Sequence, residues 1–528
     1  MKIAVEGCCH GELDKIYETI AFIEEKEKYK VDLLLICGDF QAVRNPSDFH
    51  ALAVPPKFRK MNTFYKYYSG EAKAPVLTVL IGGNHEASNY MQELPYGGWL
   101  AENIYYLGYA GVVQFGGLRI GGLSGIFKGR DFNKGHFEHP PYNEDTKRSC
   151  YHVRSLDVFR LKQIQKPVDI MLSHDWPQNI YHHGNTRRLL QKKKFFQQEV
   201  EAGTLGSAPA EQLLHHLKPS YWFSAHLHVK FAARVAHDVA EEDPRKDTKF
   251  LALDKCLPRR KFLQIIDFPD QEDKSLELEL DPEWLCILRS TNHLMNLGRG
   301  AQYMPGPGCS ERYDFSTTDE ELSDIRETFG STFSVPDNFV RTAEAHSAED
   351  EIPRNPPQPQ ICINPQTTLI CQMLELTDPF SVFSGKNDST SLSLPHGIDS
   401  NDSLLDSDDE GIQNDSDLMD TTMESSVNTT LNPDEISLDG IDEDSSPSPP
   451  HDSRSHLVLP PPTSDESELS ISLDSDGSLK RSLNEEPAQG EEGEGVTEEE
   501  ESAPTPSTSG KKFRRRNQSL YTDDNDDE

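Results

Sequence analysis

Long hydrophobic runs are absent from this 528-residue chain. No stretch approaches the roughly 18 apolar residues that a membrane-spanning helix needs, so we expect no membrane partner. Residues 1–6 have the pattern of a strand, with neither the apolar segment nor the cleavage site of a signal peptide. The nine cysteines are odd in number and lack the spacing of a disulfide framework. We therefore expect a reduced, intracellular setting in which Cys8 and Cys9 remain thiols.

Acidic and basic residues are distributed unevenly along the chain. Residues 1–300 carry a net charge of about +1, whereas residues 301–528 carry -38. The acidic part joins Pro-rich, Ser/Asp-rich and Glu-rich segments that bury too little apolar surface to offset the entropy of ordering, which predicts a disordered tail. Residues 362–376 are an apolar exception within this tail, and they are either a short docking segment or an apolar patch in a loop. Residues 1–300 are long and apolar enough for a sizeable core.

Strand and helix patterns alternate in this first part. Residues 2–7 and 31–37 are apolar runs typical of buried strands, and residues 11–28 carry isoleucines and leucines at helical spacing. A third strand is predicted at 75–81. The spacing and glycines of residues 104–123 indicate a meander rather than another strand-helix-strand unit. The mixture predicts an α/β fold, a sandwich of two sheets with helices outside.

Polar clusters end five of the apolar runs within the first 230 residues. In open α/β sheets ligands bind at the carboxyl ends of strands, and the imidazole, carboxylate, amide and thiolate groups of these clusters are metal ligands. The pattern predicts a phosphoesterase with two metal ions. The clusters are Cys8-Cys9-His10, Gly38-Asp39, Gly83-Asn84-His85-Glu86, Ser173-His174 and Ala225-His226-Leu227-His228.

Each cluster also has a structural explanation. Asp39 could be a turn residue or a helix cap, although its two oxygens also suit a bridge between two cations. His226 and His228 are two residues apart, so on a strand they share one face. Asn84 and His85 are adjacent, so that one could coordinate a metal while the other transfers protons. Taken together, the clusters favour the metal site over the structural reading.

The order of these motifs resembles that of the calcineurin-like metallophosphoesterases. The resemblance covers residues 1–235, a catalytic domain, and implies an αββα sandwich. It also implies that Asp39 bridges the two metals and that His85 lies near the leaving group. The implied metal ligands are Cys8, His10, Asp39, Asn84, His174, His226 and His228.

Two positions depart from the usual motifs of that superfamily. Ala225 replaces a glycine, which is minor, and Cys8 replaces the first aspartate. A thiolate is a softer ligand than a carboxylate, so this half of the site should prefer zinc or iron. Cysteine here is a mark of the RNA lariat debranching enzymes, which the chain also resembles at 1–13, 82–94, 121–128 and 224–230.

Resemblance to the debranching enzymes has further implications. It implies hydrolysis of the 2'-5' phosphodiester at the branch of an excised intron lariat, with Fe(II) and Zn(II) as the metals and Mn(II) as a substitute. The RNA lariat would be the main partner. Residues 236–300 would form a small appended C-terminal accessory domain, before the disordered acidic tail at 301–528.

Residues 127–154 form a predicted insertion in which cations alternate with aromatic side chains. Cations suit phosphates and flat rings suit unpaired bases, so we predict RNA binding, and in the resembled family a lariat-recognition loop lies here. A solvated loop would explain the charges and explains the aromatic rings less well. The predicted RNA-binding residues are Lys128, Arg130, Lys134, Tyr142 and Arg154.

Three expectations concern the cellular setting and the rival functions. The basic residues 511–516 resemble a nuclear localisation signal, which predicts a nuclear protein. The acidic tail could bind spliceosome- or RNA-turnover-associated proteins.

Rival functions are a protein serine/threonine phosphatase or a DNA nuclease of the same fold. Another rival is a binding scaffold with an inactive site, in which at least one ligand position should hold a residue that cannot coordinate a metal.

Overall fold

The structure, a computed structural model, describes residues 1–238, 246–268, 274–330 and 332–385. The predicted tail beyond residue 385, including the basic residues 511–516, lies outside the described residues. Within those ranges no helix combines the length and the hydrophobicity needed to cross a membrane.

Thirteen strands form two sheets within the described ranges. The strands are β1 (Lys2–Glu6), β2 (Leu33–Ile36), β3 (Thr78–Leu80), β4 (Gly98–Ala101), β5 (Ile104–Tyr106), β6 (Ala110–Phe115), β7 (Leu118–Leu123), β8 (Ile170–Ser173), β9 (Tyr221–Ser224), β10 (Phe231–Ala236), β11 (Asp247–Ala252), β12 (Leu263–Asp267) and β13 (Leu278–Leu280).

Most α-helices of the described ranges are short. They are α1 (Leu13–Glu27), α2 (Phe64–Ser69), α3 (Ser88–Met91), α4 (Gly129–Phe132), α5 (Thr146–Ser149), α6 (Ser155–Lys162), α7 (Thr186–Lys192), α8 (Gln197–Ala202), α9 (Ala208–Leu217), α10 (Pro282–Ser290), α11 (Asp319–Phe329), α12 (Pro365–Leu374) and α13 (Pro379–Phe383). Short 3-10 helices span Pro46–His50, Pro56–Phe58, Ile180–His183, Lys194–Phe196 and Asn292–Leu294.

Both sheets have a parallel centre and antiparallel edges. The first sheet has the order β12-β1-β2-β3-β5-β4, with parallel pairing from β1 to β5. The second has the order β10-β11-β9-β8-β7-β6-β13, with parallel pairing between β7, β8, β9 and β11. Since β1, β2, β3, β8 and β9 all end in loops that carry a predicted cluster, the parallel centres determine where those clusters lie.

Apolar side chains pack in three layers around these sheets. Val5 and Leu35 of the first sheet pack with Leu172 and Phe223 of the second, in the core between the sheets. Leu34, on the opposite face of the first sheet, packs with residues of α1, and the outer face of the second sheet packs with α6 and α9. This alternation along each strand confirms the predicted sandwich with outer helices.

The predicted helix at 11–28 is confirmed, whereas the meander predicted at 104–123 is confirmed only for its second half. Helix α1 buries Leu13, Ile16 and Ile20 on one face and ends where Lys28 adopts a left-handed backbone with φ 59°. Strands β6 and β7 pair antiparallel, but β5 lies in the other sheet, where it pairs with β3 and β4.

The prediction that disorder begins at residue 301 is wrong. Helices α11, α12 and α13 lie in the region assigned to the tail, and Ile325, Leu374 and Phe380 are buried there. The Tyr68 hydroxyl accepts the backbone N–H groups of Thr342 at 2.8 Å and Ala343 at 2.9 Å. Average composition misses such a segment because a few anchors, placed on the right faces, bind it to an existing core.

Residues 362–376 correspond to the docked helix α12, rather than to an apolar patch in a loop. The Asn364 side chain caps its first turn, and the Gln366 side chain bonds the backbone N–H and C=O of Trp99 at 2.7 and 2.9 Å. The accessory region predicted at 236–300 also packs closely, since β11 pairs with β9 and β12 with β1.

Candidate metal centre

The seven predicted metal ligands come together at one edge of the sandwich. They lie in the loops that follow β1, β2, β3, β8 and β9, where the parallel strands end. Because two adjacent parallel sheets present their carboxyl ends at the same edge, residues more than 200 positions apart become neighbours here.

One half of the centre contains a thiol, a carboxylate and two imidazoles. Donor atoms of Cys8, His10, Asp39 and His228 all lie within 4.8 Å of one another. His10 Nε2 is 3.2 Å from His228 Nε2 and 3.5 Å from Asp39 Oδ2. Four donors converging at this spacing form a cage for a transition-metal ion.

The other half contains an amide and two more imidazoles. Asn84 Oδ1 lies 3.1 Å from His174 Nε2 and 3.0 Å from His226 Nδ1. His174 Nδ1 lies 2.7 Å from the Cys37 carbonyl, which leaves Nε2 to act as a ligand. Asp39 Oδ1 is 3.2 Å from His174 Nε2, so the two Asp39 oxygens face different halves, as a bridging carboxylate requires.

Unsatisfied buried groups show that these residues fit divalent metal ions. Asp39 Oδ2 is buried and accepts no hydrogen bond within the described ranges, which is costly for a carboxylate without a cation. Burial would raise the pKa of Asp39, but His174 and His85 outweigh it and hold that pKa well below its usual range. Burial and the Asp39 charge raise the pKa of the Cys8 thiol, so a thiolate here needs a cation.

Backbone strain is concentrated among the proposed ligands. Non-glycine residues rarely adopt positive φ, yet His10 (48°), Asp39 (50°), His226 (60°) and His228 (47°) all do. A Cβ at Gly83 would lie 2.3 Å from Asp39 Oδ1, so only glycine permits this approach. Strain of this kind persists where the surrounding fold enforces it, and it marks functional sites.

Glu86 is a positioning residue to which sequence reasoning gave no role. Its carboxylate accepts three backbone N–H bonds of 2.8 Å, from Phe40, Gln41 and Gly83. It therefore ties the loop that carries Asp39 to the loop that carries Asn84. Burial and the Asp39 charge raise the pKa of Glu86 to about 7. Nothing in the local sequence indicates this role, because two of its three partners, the N–H groups of Phe40 and Gln41, are more than 40 residues away in the chain.

His85 lies at the rim of the centre with an unpartnered nitrogen. Its backbone N–H donates to Asp39 Oδ1 at 2.8 Å, and its ring centroid is 5.5 Å from that of His10. His85 Nδ1 is buried and makes no hydrogen bond to the described part of the chain. The ring is thus held beside the metal ligands without being tied to them.

Two family profiles match the chain. Residues 1–230 match the calcineurin-like phosphoesterases, and residues 245–379 match the C-terminal domain of lariat debranching enzymes. The Xenopus laevis lariat debranching enzyme A is 54% identical over 84% of this chain and 82% of its own length. The chain belongs to the lariat debranching enzyme family. The Homo sapiens and Arabidopsis thaliana lariat debranching enzymes are 57% and 50% identical, over 72% and 71% of this chain and 70% and 86% of their own.

Membership of this family identifies a phosphoesterase hydrolase of the metallophosphoesterase superfamily and implies divalent metal ions at the centre described above. The C-terminal family domain also extends to residue 379, well beyond the boundary predicted at 300. Every predicted ligand position holds a coordinating side chain, contrary to what an inactive scaffold requires. The comparisons give no support to a protein phosphatase or a DNA nuclease.

The insertion of this debranching-family member begins beside the metal centre. The Gly125 N–H donates to the Gly82 carbonyl at 2.8 Å, and the Phe127 N–H to Asp175 at 3.4 Å, next to His174. Lys134 bonds Asp131 at 2.8 Å, and the Arg130 side chain is 54% exposed. These contacts bring the predicted RNA-binding segment to the edge of the centre.

Two of the five predicted RNA-binding residues are buried, which corrects the prediction for them. Arg154 is 1% exposed and bonds Glu138 at 2.6 Å, and Tyr142 is buried with its hydroxyl donating to Gln92. Arg154 thus links two parts of the insertion to each other, and Tyr142 links the insertion to Gln92 at the end of α3. Composition could not distinguish them from exposed residues, because a short segment without regular periodicity does not indicate which side chains face inward. The roles of Lys128, Arg130 and Lys134 stay predictions.

Proposed function

We propose that this chain hydrolyses the 2'-5' phosphodiester bond at the branch of excised intron lariats and releases a linear intron with a 5'-phosphate. The observation that carries the proposal is the convergence of six other donor residues, Cys8 among them, around the buried carboxylate of Asp39. Family membership supports it, because the relatives are named lariat debranching enzymes.

Two ions would be held by the halves that share Asp39. One half is Cys8, His10, Asp39 and His228, and the other is Asp39, Asn84, His174 and His226. Bound divalent cations supply Lewis acidity and activate water. Asp39 orients both halves, and the Asn84 amide adds a neutral oxygen that leaves the site open to an anionic phosphate. His174 keeps its tautomer through the Cys37 carbonyl.

His85 is the proposed general acid. Its ring is held at the rim by the backbone bond to Asp39 and is not tied to a ligand, so it can donate a proton to the departing 2'-oxygen. Loss of a general acid lowers the rate by about 10² to 10⁴-fold. His85→Ala should show such a loss with unchanged metal content.

The metal pair of this proposal is Fe(II) and Zn(II), with Mn(II) as a substitute. The support is the thiol of Cys8, a soft donor that favours these ions over Mg(II). Cys8→Asp should shift the bound metal toward Mn(II) or Mg(II) and keep some activity. Elemental analysis tests this, with Cys9→Ser as the matched control. Equal zinc and iron in wild type and Cys8→Asp would contradict the assignment.

The decisive assay compares substrates rather than variants. Purified protein is incubated with a branched RNA that has one 2'-5' linkage, with a linear RNA of the same sequence, and with p-nitrophenyl phosphate. Cleavage of the branch with sparing of the linear RNA supports the proposal. Equal cleavage of both RNAs, or hydrolysis of p-nitrophenyl phosphate alone, would refute it.

We also propose nuclear action, with the acidic tail as a binding site for spliceosome- or RNA-turnover-associated proteins. The support is the basic sequence at 511–516 and the charge of the tail. Alanine at the five basic positions of 511–516 should reduce nuclear accumulation of a fluorescent fusion, whereas alanine at Lys480 and Arg481 should not. Unchanged nuclear accumulation of the first variant would contradict the proposal.

A further inference from the structure

A loop of the C-terminal family domain reaches the metal centre. The Cys8 N–H donates to the Asp254 carbonyl at 3.3 Å, and the Cys256 N–H donates to the Cys8 carbonyl at 3.1 Å. Between these two bonds, Lys255 is in parallel register with Cys8. Lys255 lies outside the calcineurin-like match at 1–230 and inside the debranching match at 245–379. A lysine from the second domain therefore borders the first.

Close packing holds this loop in place. A Cβ at Gly7 would lie 2.2 Å from the Asp254 carbonyl oxygen, so the loop contacts the end of β1 at a distance that only glycine permits. The Asp254 carboxylate accepts the Lys255 backbone N–H at 2.8 Å and pairs with Arg260 at 3.3 Å. The backbone of Lys255 is thus fixed beside the centre. The negative charge of the adjacent Asp254 is already paired with Arg260.

The Lys255 ammonium remains uncompensated. Across the described ranges its side chain makes no hydrogen bond or ion pair, and the residue is only partly buried. Lys255 is in parallel register with Cys8, so it lies beside the half-site that contains Cys8, His10 and His228. A half-buried cation without an anion, beside a centre of this kind, suits an anionic ligand.

We propose that Lys255 binds a non-bridging oxygen of the substrate phosphate, which makes the C-terminal domain part of the substrate site. The inference rests on the proposed function, since the anion concerned is an RNA phosphodiester. A lysine can act as a point charge toward phosphate without fixed geometry, which suits a side chain at the rim. Lys255 is then a phosphate-binding residue and not a metal ligand.

The test compares Lys255→Met, Lys255→Arg and Lys246→Met with wild type. Lys246 is an exposed lysine at the amino end of β11, the end away from the centre, and is the matched control. The measurements are kcat/KM on branched RNA at several salt concentrations, metal content, and anisotropy of a labelled branched RNA with metals chelated. Lys255→Met should lower kcat/KM by roughly 10- to 100-fold, as for loss of a charged hydrogen bond.

The RNA affinity of Lys255→Met should also fall, and the magnitude of the slope of log affinity against log salt concentration should decrease by roughly 0.7 to 0.9. Lys255→Arg should recover part of both effects, and Lys246→Met should match wild type, with metal content unchanged throughout. Equal kcat/KM and salt slope in wild type and Lys255→Met would overturn the inference, as would loss of metal in Lys255→Met. Failure of wild type to cleave branched RNA would instead refute the proposed function.

Discussion

The metal-ligand loops and the insertion at 127–154 are both dense in polar side chains, but they satisfy them differently. In the loops, Asp39 Oδ2 and His85 Nδ1 are buried without a hydrogen-bond partner in the described chain. In the insertion, the Arg154 guanidinium pairs with the Glu138 carboxylate and Lys134 with Asp131, although Glu138 Oε2, Arg154 Nε and His136 Nδ1 also lack a hydrogen-bond partner in the described chain. Within the described chain the buried carboxylate of Asp39 has only imidazoles as ionic partners, which suits a metal ion, whereas a carboxylate paired with arginine or lysine belongs to the scaffold.

Removing the carboxylate of Asp39, the proposed bridge, should have the largest effect. Asp39→Ala takes an oxygen from each half of the centre, so both ions should be lost together with several kcal/mol of transition-state stabilisation, or about 10³-fold or more in rate. Elemental analysis measures the loss of metal ions, and kcat/KM on branched RNA measures the loss of rate. Asp39→Asn keeps one neutral oxygen, so its metal content and its kcat/KM should lie between those of Asp39→Ala and those of wild type. Full metal content in Asp39→Ala would show that Asp39 is not the bridge.

Breaking the buried pair of the insertion should reduce stability instead. Arg154→Ala leaves Glu138 buried without its cation, and removal of one partner from a buried pair costs about 3–5 kcal/mol. Thermal or urea unfolding measures the loss. Arg148→Ala, at a pair with exposed side chains, is the matched control and should change stability by less than about 1 kcal/mol. A stable Arg154→Ala protein with weakened RNA binding would reverse our correction.

Neutralising the outer cations of the insertion should have a smaller effect, confined to RNA. Lys128→Gln with Arg130→Gln should raise KM for branched RNA a few-fold, or about 1 kcal/mol, and flatten its salt dependence, because phosphate contacts release counterions. Hydrolysis of p-nitrophenyl phosphate and the unfolding temperature should stay near wild type. If both substrates decline equally, these residues support the fold and do not bind RNA.

Acid should weaken the insertion slightly through His152. Burial lowers the pKa of His152 more than the Asp131 carboxylate raises it, so the fold favours the neutral ring. The stabilisation is therefore present above the unfolded pKa of about 6.5 and is lost as pH falls below it. His152→Gln should show a smaller fall in unfolding temperature than wild type between about pH 7.5 and 5.5. An identical fall in both proteins would exclude His152 as the cause.

Sequence reasoning anticipated the positions of side chains that follow strand ends. Asp39 and His174 lie just beyond apolar strands, and ligand-binding groups of parallel sheets gather at the carboxyl ends of the strands, so the convergence of these side chains could be anticipated, while their role as metal ligands stays a proposal. It failed at Tyr142 and Arg154, since aromatic and cationic composition does not distinguish the inner from the outer face of an irregular segment. It also failed between residues 301 and 385, where a few anchors such as the Tyr68 hydroxyl outweigh an acidic average composition.

The sequence by itself determined the first strands and helix α1 along the chain, the two-sheet sandwich and the chemical types of the predicted ligands, because hydrophobic period and strand ends are local properties. Only the tertiary structure decided which oxygen of Asp39 faces which half, how Glu86 joins two loops, and that Lys255 reaches the centre from the second family domain. Those features depend on contacts between residues up to 247 positions apart, such as Cys8 and Lys255. Local pattern carries no information about such distances, since they are set by how the two sheets and the C-terminal segments pack.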